Sequence, residues 1–176
     1  MDAIVVAALR KWPNVPHCYG WLALDARGDW YMRDERIQAA GPFPRSKGSR
    51  IEHAQLRGFI ERNYGSDEHG AWFFQNGPQR VYVELEATPW VWRVGDGDGW
   101  PVHSHTGRAA TVISAWLDEP GRLFLATDIG FGITHTMDMG PASQAVTCGH
   151  WQPQALAFDR MPARFGYRLR PQPAAA

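Results

Sequence analysis

The stretch Ser49-Arg-Ile-Glu-His-Ala-Gln-Leu-Arg-Gly-Phe-Ile-Glu-Arg-Asn-Tyr-Gly65 carries the clearest helical pattern in the chain. Its first four residues have the spacing of a capping box, in which the Ser49 hydroxyl accepts from a backbone amide and Glu52 reaches back. Apolar residues follow at helical spacing, namely Ile51, Leu56, Phe59, Ile60 and Tyr64. Gly65 can adopt the left-handed conformation that ends a helix. We therefore predict a helix over residues 51–63, with Phe59 buried on its apolar side.

Three segments outside this helix combine an Asp-x-x-Gly turn with an apolar run, namely Asp25–Met32, Asp67–Phe74 and Asp118–Leu125. An Asp side chain can open a tight turn, and a Gly three positions later accepts the positive φ that closes it. In the third segment, Pro120-Gly121 favours a type II turn instead. We interpret the segments as hairpin units near residues 19–34, 67–94 and 111–136. Shared turn chemistry and an internal duplication both explain the similarity.

Short apolar runs separated by turn residues predict about eight strands, most of them linked as hairpins. Asn76-Gly77, for example, favours a tight hairpin turn between two such runs. The predicted fold class is α+β, a predominantly antiparallel sheet of repeated hairpins packed on one central helix. We predict a single globular domain over residues 1–170 and a flexible tail over residues 171–176.

The charge balance argues against nucleic acid as a partner. The chain has 18 basic and 18 acidic residues and a formal net charge of +0, whereas nucleic-acid binders present a basic patch to the phosphates. The densest basic run is interpreted as a solvated surface and comprises Arg160, Arg164, Arg168 and Arg170. We predict no nucleic-acid partner.

The apolar run from Ala3 to Leu9 is too short to cross a bilayer, which takes about 20 apolar residues. Its basic residues, Arg10 and Lys11, follow the run, whereas a signal peptide places them first. The two cysteines, Cys18 and Cys148, make no disulfide framework. We predict a cytoplasmic protein without a membrane partner.

Aromatic and turn positions from Tyr19 to Pro141 carry a resemblance to known families. The matching residues include Gly28-Asp-Trp-Tyr31, Trp72-Phe-Phe74, Arg80-Val-Tyr-Val-Glu84, Thr88-Pro-Trp-Val91 and Leu125-Ala-Thr-Asp128, with Ile51, Leu56 and Phe59 on the helix. This segment resembles uncharacterised proteobacterial families that are classed as domains of unknown function. The resemblance implies a sheet around a helix with repeated strand motifs, and a signalling or ligand-sensing role. It brings no catalytic residue with it.

His103-Ser-His105 and Cys148-Gly-His150 are the candidates for a metal site. Residues two apart on a strand face the same side, so each pair could supply two ligands to a tetrahedral zinc ion. Histidines on a polar strand face explain the same pattern without a metal. We predict that His103 and His105 face the same way and hold no structural metal. A metal-dependent enzyme built on these four residues remains the alternative.

Glu84 and Glu86 alternate with Val81, Val83 and Leu85, so they share one face of a predicted strand. Paired carboxylates can act as general acid and base when they converge. The alternation equally predicts a strand with one apolar face and one wet face, which is the interpretation we adopt. The sequence contains no nucleophile elbow, phosphate-binding loop or HExxH motif. It therefore identifies no catalytic residue and no cofactor.

A binding cleft is the strongest functional hypothesis, because amides and a guanidinium surround one hairpin turn beside several large rings. Small-ligand sites combine apolar walls with a few polar groups that orient the ligand. The predicted ligand-binding residues are Gln75, Gln79, Arg80, Trp72, Tyr82, Trp90 and Trp92. Arg80 would pair with an anionic or carbonyl-rich ligand. The alternative is a turn beside a core, with Arg80 lying over an aromatic ring.

These patterns predict a non-catalytic module that binds a small ligand or regulates a partner. The alternatives are the metal-dependent enzyme and a protein-interaction module, the latter as a homodimer with an exposed aromatic surface. If a small molecule binds, we expect Arg80 and at least one of Trp72, Trp90 and Trp92 at its site.

Overall fold

Two β-sheets dominate the computed structural model of the protein, which describes residues 1–173. The chain divides into two compact units, each built on one sheet. The first unit contains Met1–Asp25, Asp29–Glu86 and, at the end of the described chain, residues 167–173. The second contains Ala26–Gly28 and Ala87–Gly166, so most of it is inserted between two segments of the first.

The first unit is a six-stranded sheet with three helices. The helices are α1 (Ala3–Lys11), α2 (Glu35–Ala40) and α3 (Ala54–Arg62). The strands are β1 (Cys18–Leu24), β2 (Trp30–Met32), β3 (Ser49–Arg50), β4 (Tyr64–Ser66), β5 (Trp72–Asn76) and β6 (Gln79–Leu85), in the order β3-β2-β1-β6-β5-β4. The last segment of the unit adds to this framework, because the Leu85 amide donates to the Leu169 carbonyl at 2.8 Å.

The second unit is a seven-stranded sheet with two α-helices. Its strands are β7 (Trp90–Val94), β8 (Val102–Ser104), β9 (Ala109–Ala110), β10 (Val112–Leu117), β11 (Leu123–Thr127), β12 (Gly130–Thr134) and β13 (Gln154–Ala155), in the order β13-β10-β11-β12-β7-β8-β9. The helices are α4 (Met139–Thr147) and α5 (Met161–Phe165), each preceded by a short 3-10 helix, Thr136–Asp138 and Phe158–Arg160 respectively.

The α+β class is confirmed, but both sheets are mixed, which corrects the prediction of a predominantly antiparallel sheet around one central helix. Where strands that follow each other along the chain pair, as in β1–β2, β5–β6 and β10–β11, they pair antiparallel, as the turn signals predicted. The parallel pairs, β1–β6, β7–β12 and β10–β13, join strands that are distant in sequence. Turn residues specify only local pairing, so the sequence pattern did not reveal these junctions.

The three predicted Asp turns share one hydrogen-bond arrangement. In each, a carboxylate oxygen accepts the backbone N–H four residues later: Asp25 from Asp29 at 2.9 Å, Asp67 from Ala71 at 2.9 Å, and Asp118 from Arg122 at 2.7 Å. The intervening Gly28, Gly70 and Gly121 have φ of 83°, 75° and 84°. The turn at Asp118 therefore keeps the arrangement of the other two despite its proline.

A fourth turn of this kind, which the sequence analysis missed, begins at Ser104. The Ser104 hydroxyl accepts the Arg108 N–H at 3.1 Å, and Gly107 has a φ of 82°. Serine here replaces aspartate as the side-chain acceptor, so the Asp-x-x-Gly pattern does not include this turn.

The helix predicted over residues 51–63 is observed as α3 but starts later, and Ser49 does not cap it. His53 is the N-cap, and its imidazole accepts the Leu56 amide at 3.3 Å. Ser49 instead pairs with Met32 in the sheet. Because a backbone in extended conformation cannot also begin a helix, the sheet pairing excludes the capping box.

Phe59 is half-buried, so the prediction that it is buried was wrong. It makes an edge contact with Phe74, with ring centroids 5.4 Å apart, and lines a shallow apolar groove of about 300 Å³ together with Leu56. Among the apolar residues of α3 only Ile60 is buried. The helix therefore contacts the sheet through a narrower face than its spacing predicted.

Glu84 is buried, which corrects its assignment to a wet strand face. It forms an ion pair with Arg33 at 2.7 Å, and the Arg33 side chain is only 2% exposed. Arg33 also donates to the carbonyls of Ser46 at 3.1 Å and Gly41 at 2.8 Å. This network connects the segment between α2 and β3 to the sheet. It also gives the buried Glu84 carboxylate a cationic partner, without which its burial would strongly destabilise the fold.

Of the predicted tail, residues 171–176, the structure describes only residues 171–173. Pro171 is buried, while Gln172 and Pro173 are exposed. Residues 174–176 lie outside the part of the chain that the structure describes. No helix within residues 1–173 has the length and apolar character required to cross a bilayer.

Candidate functional site

The register of β5 and β6 separates the predicted ligand-binding residues of the first unit into two sets. Tyr82 pairs with Phe73, and Arg80 pairs with Gln75, so these four side chains share one face of the sheet. Trp72 alternates to the opposite face, where its ring packs on Tyr64 at 4.7 Å. Trp72 therefore does not accompany Arg80 as the sequence analysis expected.

Trp90 and Trp92 are core residues of the second unit. They are 3% and 0% exposed, and their rings stack at 6.1 Å. The indole N–H of Trp90 donates to the Ile129 carbonyl at 3.0 Å, and that of Trp92 donates to the Leu125 carbonyl at 3.0 Å. Both rings are thus held within their own unit. Core packing therefore explains the presence of these two large side chains, and no ligand is needed to explain it.

The two predicted amides stabilise the local backbone. Gln75 is buried, and its Nε2 donates to the Gly77 carbonyl at 3.0 Å across the hairpin turn. Gln79 donates from Nε2 to the Pro16 carbonyl at 3.0 Å. Each amide therefore uses an N–H donor to stabilise the backbone around the hairpin.

Arg80 lies over an aromatic ring, as the alternative interpretation of the sequence expected. Its guanidinium carbon is 4.4 Å from the centroid of Phe73. Phe73 in turn makes an edge contact with Tyr82 at 5.8 Å. Arg80 therefore supports the ring cluster that includes Tyr82, a predicted residue that lines a cavity in the first unit.

This cavity, which we call the tyrosine cup, has a volume of about 220 Å³. Its wall includes Tyr19, Tyr82, Asp67, His69, Arg168 and Pro171. Tyr19 and Tyr82 are stacked with centroids 4.6 Å apart and ring planes 7° apart. The strands β1 and β6 hold one tyrosine each, and the turn before β5 supplies the polar rim.

Asp67 fixes the phenol of Tyr82 in the cup. One carboxylate oxygen accepts the amides of His69 and Ala71, both at 2.9 Å, and the other accepts the Tyr82 hydroxyl at 3.1 Å. Burial alone would raise the pKa of Asp67, but these hydrogen bonds bring that pKa below its ordinary value. Burial and the neighbouring carboxylate raise the pKa of Tyr82, so the phenol keeps its proton.

Arg168 supplies a fixed cation at the rim of the cup. Its backbone amide donates to the Gly70 carbonyl at 3.0 Å, and its side-chain Nε donates to the His69 carbonyl at 3.1 Å. Within residues 1–173 the two Nη groups of Arg168 have no protein acceptor. The guanidinium is thus oriented by the protein while its outer donors stay available to an anion.

A second polar cluster in the first unit is satisfied internally. The Lys47 ammonium lies 3.1 Å from Asp25 and 3.6 Å from Glu86. The Tyr31 hydroxyl donates to the same Asp25 oxygen at 3.3 Å. Lys47 is flanked by two carboxylates, so this cluster stabilises the segment before β3 rather than attracting an anion.

The residues considered for a metal site are not gathered. His103 is exposed on β8, whereas His105 lies in the following turn, packs on Trp90 at 5.8 Å and accepts the Val91 amide at Nδ1. Cys148 and His150 are exposed after α4. Within the described chain, no three His, Cys, Asp or Glu side chains form a group able to hold a metal ion.

Three residues of the cup were missed as functional candidates. Asp67 was recognised only as a turn residue, and Tyr19 only as part of a strand. Arg168 was assigned to a solvated basic run. In the sequence, Asp67 followed by two aromatic strands could have indicated the site. The position of Arg168 could not have been predicted, because it depends on a contact between residues about a hundred positions apart, which a local sequence pattern does not contain.

Fold and site together define a two-unit α+β protein with a small polar-rimmed aromatic cavity. The chain belongs to the family DUF2944, described as "Protein of unknown function (DUF2946)", whose model matches residues 1–172. This confirms the expected membership in an uncharacterised domain family. No curated protein matches the sequence.

The comparison with solved structures finds two DUF1285 family proteins. A DUF1285 family protein from Silicibacter pomeroyi DSS-3 shares 11% identity, with a TM-score of 0.51 over 82% of this chain and 84% of that chain. A DUF1285 family protein from Shewanella baltica OS155 shares 13% identity, with a TM-score of 0.47 over 75% of this chain and 93% of that chain. The first similarity supports the arrangement of elements alone.

Proposed function

We propose that this protein is a non-catalytic module that binds a small anionic ligand in the tyrosine cup. The observation that carries the proposal is the pairing of an aromatic surface, Tyr19 stacked on Tyr82, with the oriented guanidinium of Arg168. An aromatic surface contributes apolar contact, and a fixed cation sets the orientation of a charged group. This keeps the predicted ligand class but replaces Arg80 by Arg168 as its recognition residue.

The size of the cup limits the ligand. Pockets for drug-sized molecules measure about 300–1,000 Å³, and the cup measures about 220 Å³. We therefore expect a compact molecule, such as one planar ring or a short chain with a single carboxylate or phosphate group.

A binding role fits the cup better than acid–base catalysis. Asp67 accepts three hydrogen bonds, and their combined effect is a lowered pKa, so it is a poor general base. The Tyr82 proton is directed to Asp67. Both groups hold the site in shape, and neither is poised to transfer a proton to a ligand.

Titration of the full chain with benzoate, followed by NMR of the backbone amides, tests the proposal. We expect shifts centred on Tyr19, Asp67 and Arg168. Benzamide has the same ring without the charge, so it should bind about tenfold or more weakly, because a charge-assisted hydrogen bond contributes about 1.5–3 kcal/mol.

Two variants localise the effect. Arg168→Gln should weaken benzoate binding to the level of benzamide, while Arg36→Gln, an exposed arginine on α2, should leave it unchanged. Equal binding of benzoate and benzamide, or unchanged binding by the Arg168 variant, would contradict the proposal. If about 10 mM benzoate produces no shifts at the cup, its affinity is weaker than the millimolar affinity of even a marginal ligand. That result would also reject the proposal.

A further inference from the structure

The second unit contains a larger cavity beside its C-terminal helix. This cavity, which we call the Trp116 cavity, has a volume of about 670 Å³ and is lined by Trp116, Leu156, Asp159, Arg160, Ala163 and Arg164. It shares no residue with the tyrosine cup. Its volume falls within the range of about 300–1,000 Å³ that is usual for sites that bind small molecules.

The apolar wall of the Trp116 cavity is held by contacts within the second unit. Trp116 is 8% exposed on β10, and its indole N–H donates to the Ser114 hydroxyl at 3.0 Å. Phe165 packs against the ring edge-on, with centroids 5.5 Å apart. Leu156 is anchored by its backbone amide, which donates to the Leu117 carbonyl at 2.9 Å. A ligand would therefore meet a preformed surface and would not have to order it.

Two arginines, Arg160 and Arg164, border this wall. Arg160 and Arg164 are four residues apart, and Arg160 has helical backbone angles immediately before α5, so both lie on one side of this helical segment. The Arg164 guanidinium carbon is 5.6 Å from the centroid of Trp116. Within residues 1–173, neither guanidinium lies within 4.0 Å of a carboxylate, the distance that defines an ion pair.

The charge of the lining is positive. Asp159 contributes one negative charge against the positive charges of Arg160 and Arg164. Two further carboxylates outside the lining already have donors: Asp118 accepts from Arg122 at 2.6 Å, and Glu119 accepts the Phe158 amide at 3.1 Å. A low-dielectric ring beside a guanidinium strengthens its attraction for an anion relative to water.

We infer that the Trp116 cavity is a second ligand site, specific for an organic anion that carries an apolar body. The apolar body would contact Trp116 and Leu156, and the carboxylate would accept hydrogen bonds from Arg160 and Arg164. The inference does not depend on the function proposed for the tyrosine cup, because the two cavities use different residues. It also changes the interpretation of the basic run, of which Arg160 and Arg164 serve this cavity and Arg168 serves the cup.

The test compares 2-naphthoate with 2-naphthamide, which share one fused ring system and differ in charge. In the full-length protein, NMR follows the indole N–H of Trp116 and the side-chain Nε–H of Arg164. We expect 2-naphthoate to shift both signals in a saturable way and 2-naphthamide to bind about tenfold or more weakly, equivalent to about 1.4 kcal/mol. Inorganic phosphate, which lacks the apolar body, should not saturate the site at millimolar concentration.

Variants separate recognition from general charge effects. Arg160→Gln and Arg164→Gln should each weaken 2-naphthoate binding about fivefold to twentyfold, since each removes one charged donor. Arg36→Gln removes the same charge elsewhere and should have no effect. Unchanged amide spectra away from the mutated residue would show that the variants are folded.

Three results would overturn the inference: equal binding of naphthoate and naphthamide, wild-type binding by both arginine variants, or naphthoate shifts that do not include Trp116. The outcome is distinguishable from that at the cup. Arg168→Gln should leave the shift of Trp116 intact, and Arg164→Gln should leave the benzoate response of Tyr19 intact.

Discussion

Replacing Arg33 by Met should destabilise the protein far more than the same change at an exposed ion pair. The Arg33 guanidinium is held by Glu84 at 2.7 Å and by the carbonyls of Ser46 and Gly41. Methionine fills a similar volume but leaves the Glu84 carboxylate buried without its cation. Removing one partner of a buried ion pair costs about 3–5 kcal/mol, because the remaining charge is neither solvated nor paired.

Glu84→Gln should cost less, about 2–3 kcal/mol, because Arg33 keeps its carbonyl acceptors and the amide oxygen of Gln still accepts a hydrogen bond. The double variant Arg33→Met/Glu84→Gln should cost less than the sum of the two single variants. The expected coupling energy is about 1.5–3 kcal/mol, the upper part of the range for residues in one network.

The measurement is urea unfolding at pH 7, with the free energy of unfolding obtained by linear extrapolation. Arg50→Met is the matched control, since Arg50 pairs with Asp29 at the same 2.7 Å but its side chain is 50% exposed. Exposed pairs contribute about 0–1 kcal/mol. The reasoning is refuted if Arg33→Met costs no more than Arg50→Met, or if the two single variants at the buried pair are additive.

Two further predictions concern hydrogen-bonded carboxylates. Tyr82→Phe should lower the free energy of unfolding by about 1 kcal/mol, because Asp67 loses one of its three donors while the ring stack is kept. The control Tyr19→Phe keeps the same stack and should lower it by less than about 0.5 kcal/mol in the same urea assay. Burial alone would raise the pKa of Asp138, but hydrogen bonds from Arg93 and the Val94 amide bring that pKa below its ordinary value. Stability from Asp138 is therefore present above the unfolded pKa of about 3.9 and is lost as pH falls through the lower folded pKa. Asp138→Asn should flatten the loss of unfolding free energy between pH 5 and 2, about the range in which carboxylates titrate; an unchanged acid limb would contradict this.

Local chemistry was predictable from the sequence where one short segment contains every partner. The Asp turn at Asp118 needs only its own carboxylate, a glycine and the amide of Arg122, and all three lie within five residues. The helix α3 was recognised for the same reason. The predicted start of the helix was wrong because Ser49 pairs with Met32 in the sheet. Helical periodicity contains no information about pairing with a strand that is distant in sequence.

The candidate site was less predictable because aromatic residues look alike in sequence whether they pack or bind. Trp92 is fully buried with its N–H satisfied, whereas Tyr19 lines a cavity, and neither neighbourhood is visible in the chain. Glu84 illustrates the same limit for charge. The alternation of apolar and polar residues predicted that Glu84 lies on a solvent-exposed face. It can be buried because Arg33, which follows β2, forms an ion pair with it.

The interleaving of the two units has a consequence for the order in which the protein is made. The first unit needs the segment after Tyr167, whose Leu169 carbonyl accepts the Leu85 amide and whose Arg168 borders the tyrosine cup. On the ribosome that segment emerges only after Ala87–Gly166 has been synthesised. Domains generally fold as units during translation, so the inserted unit has the opportunity to fold while the unit that encloses it in sequence is still incomplete. The tyrosine cup is completed only after Arg168 has been synthesised, and therefore only after the whole inserted segment Ala87–Gly166.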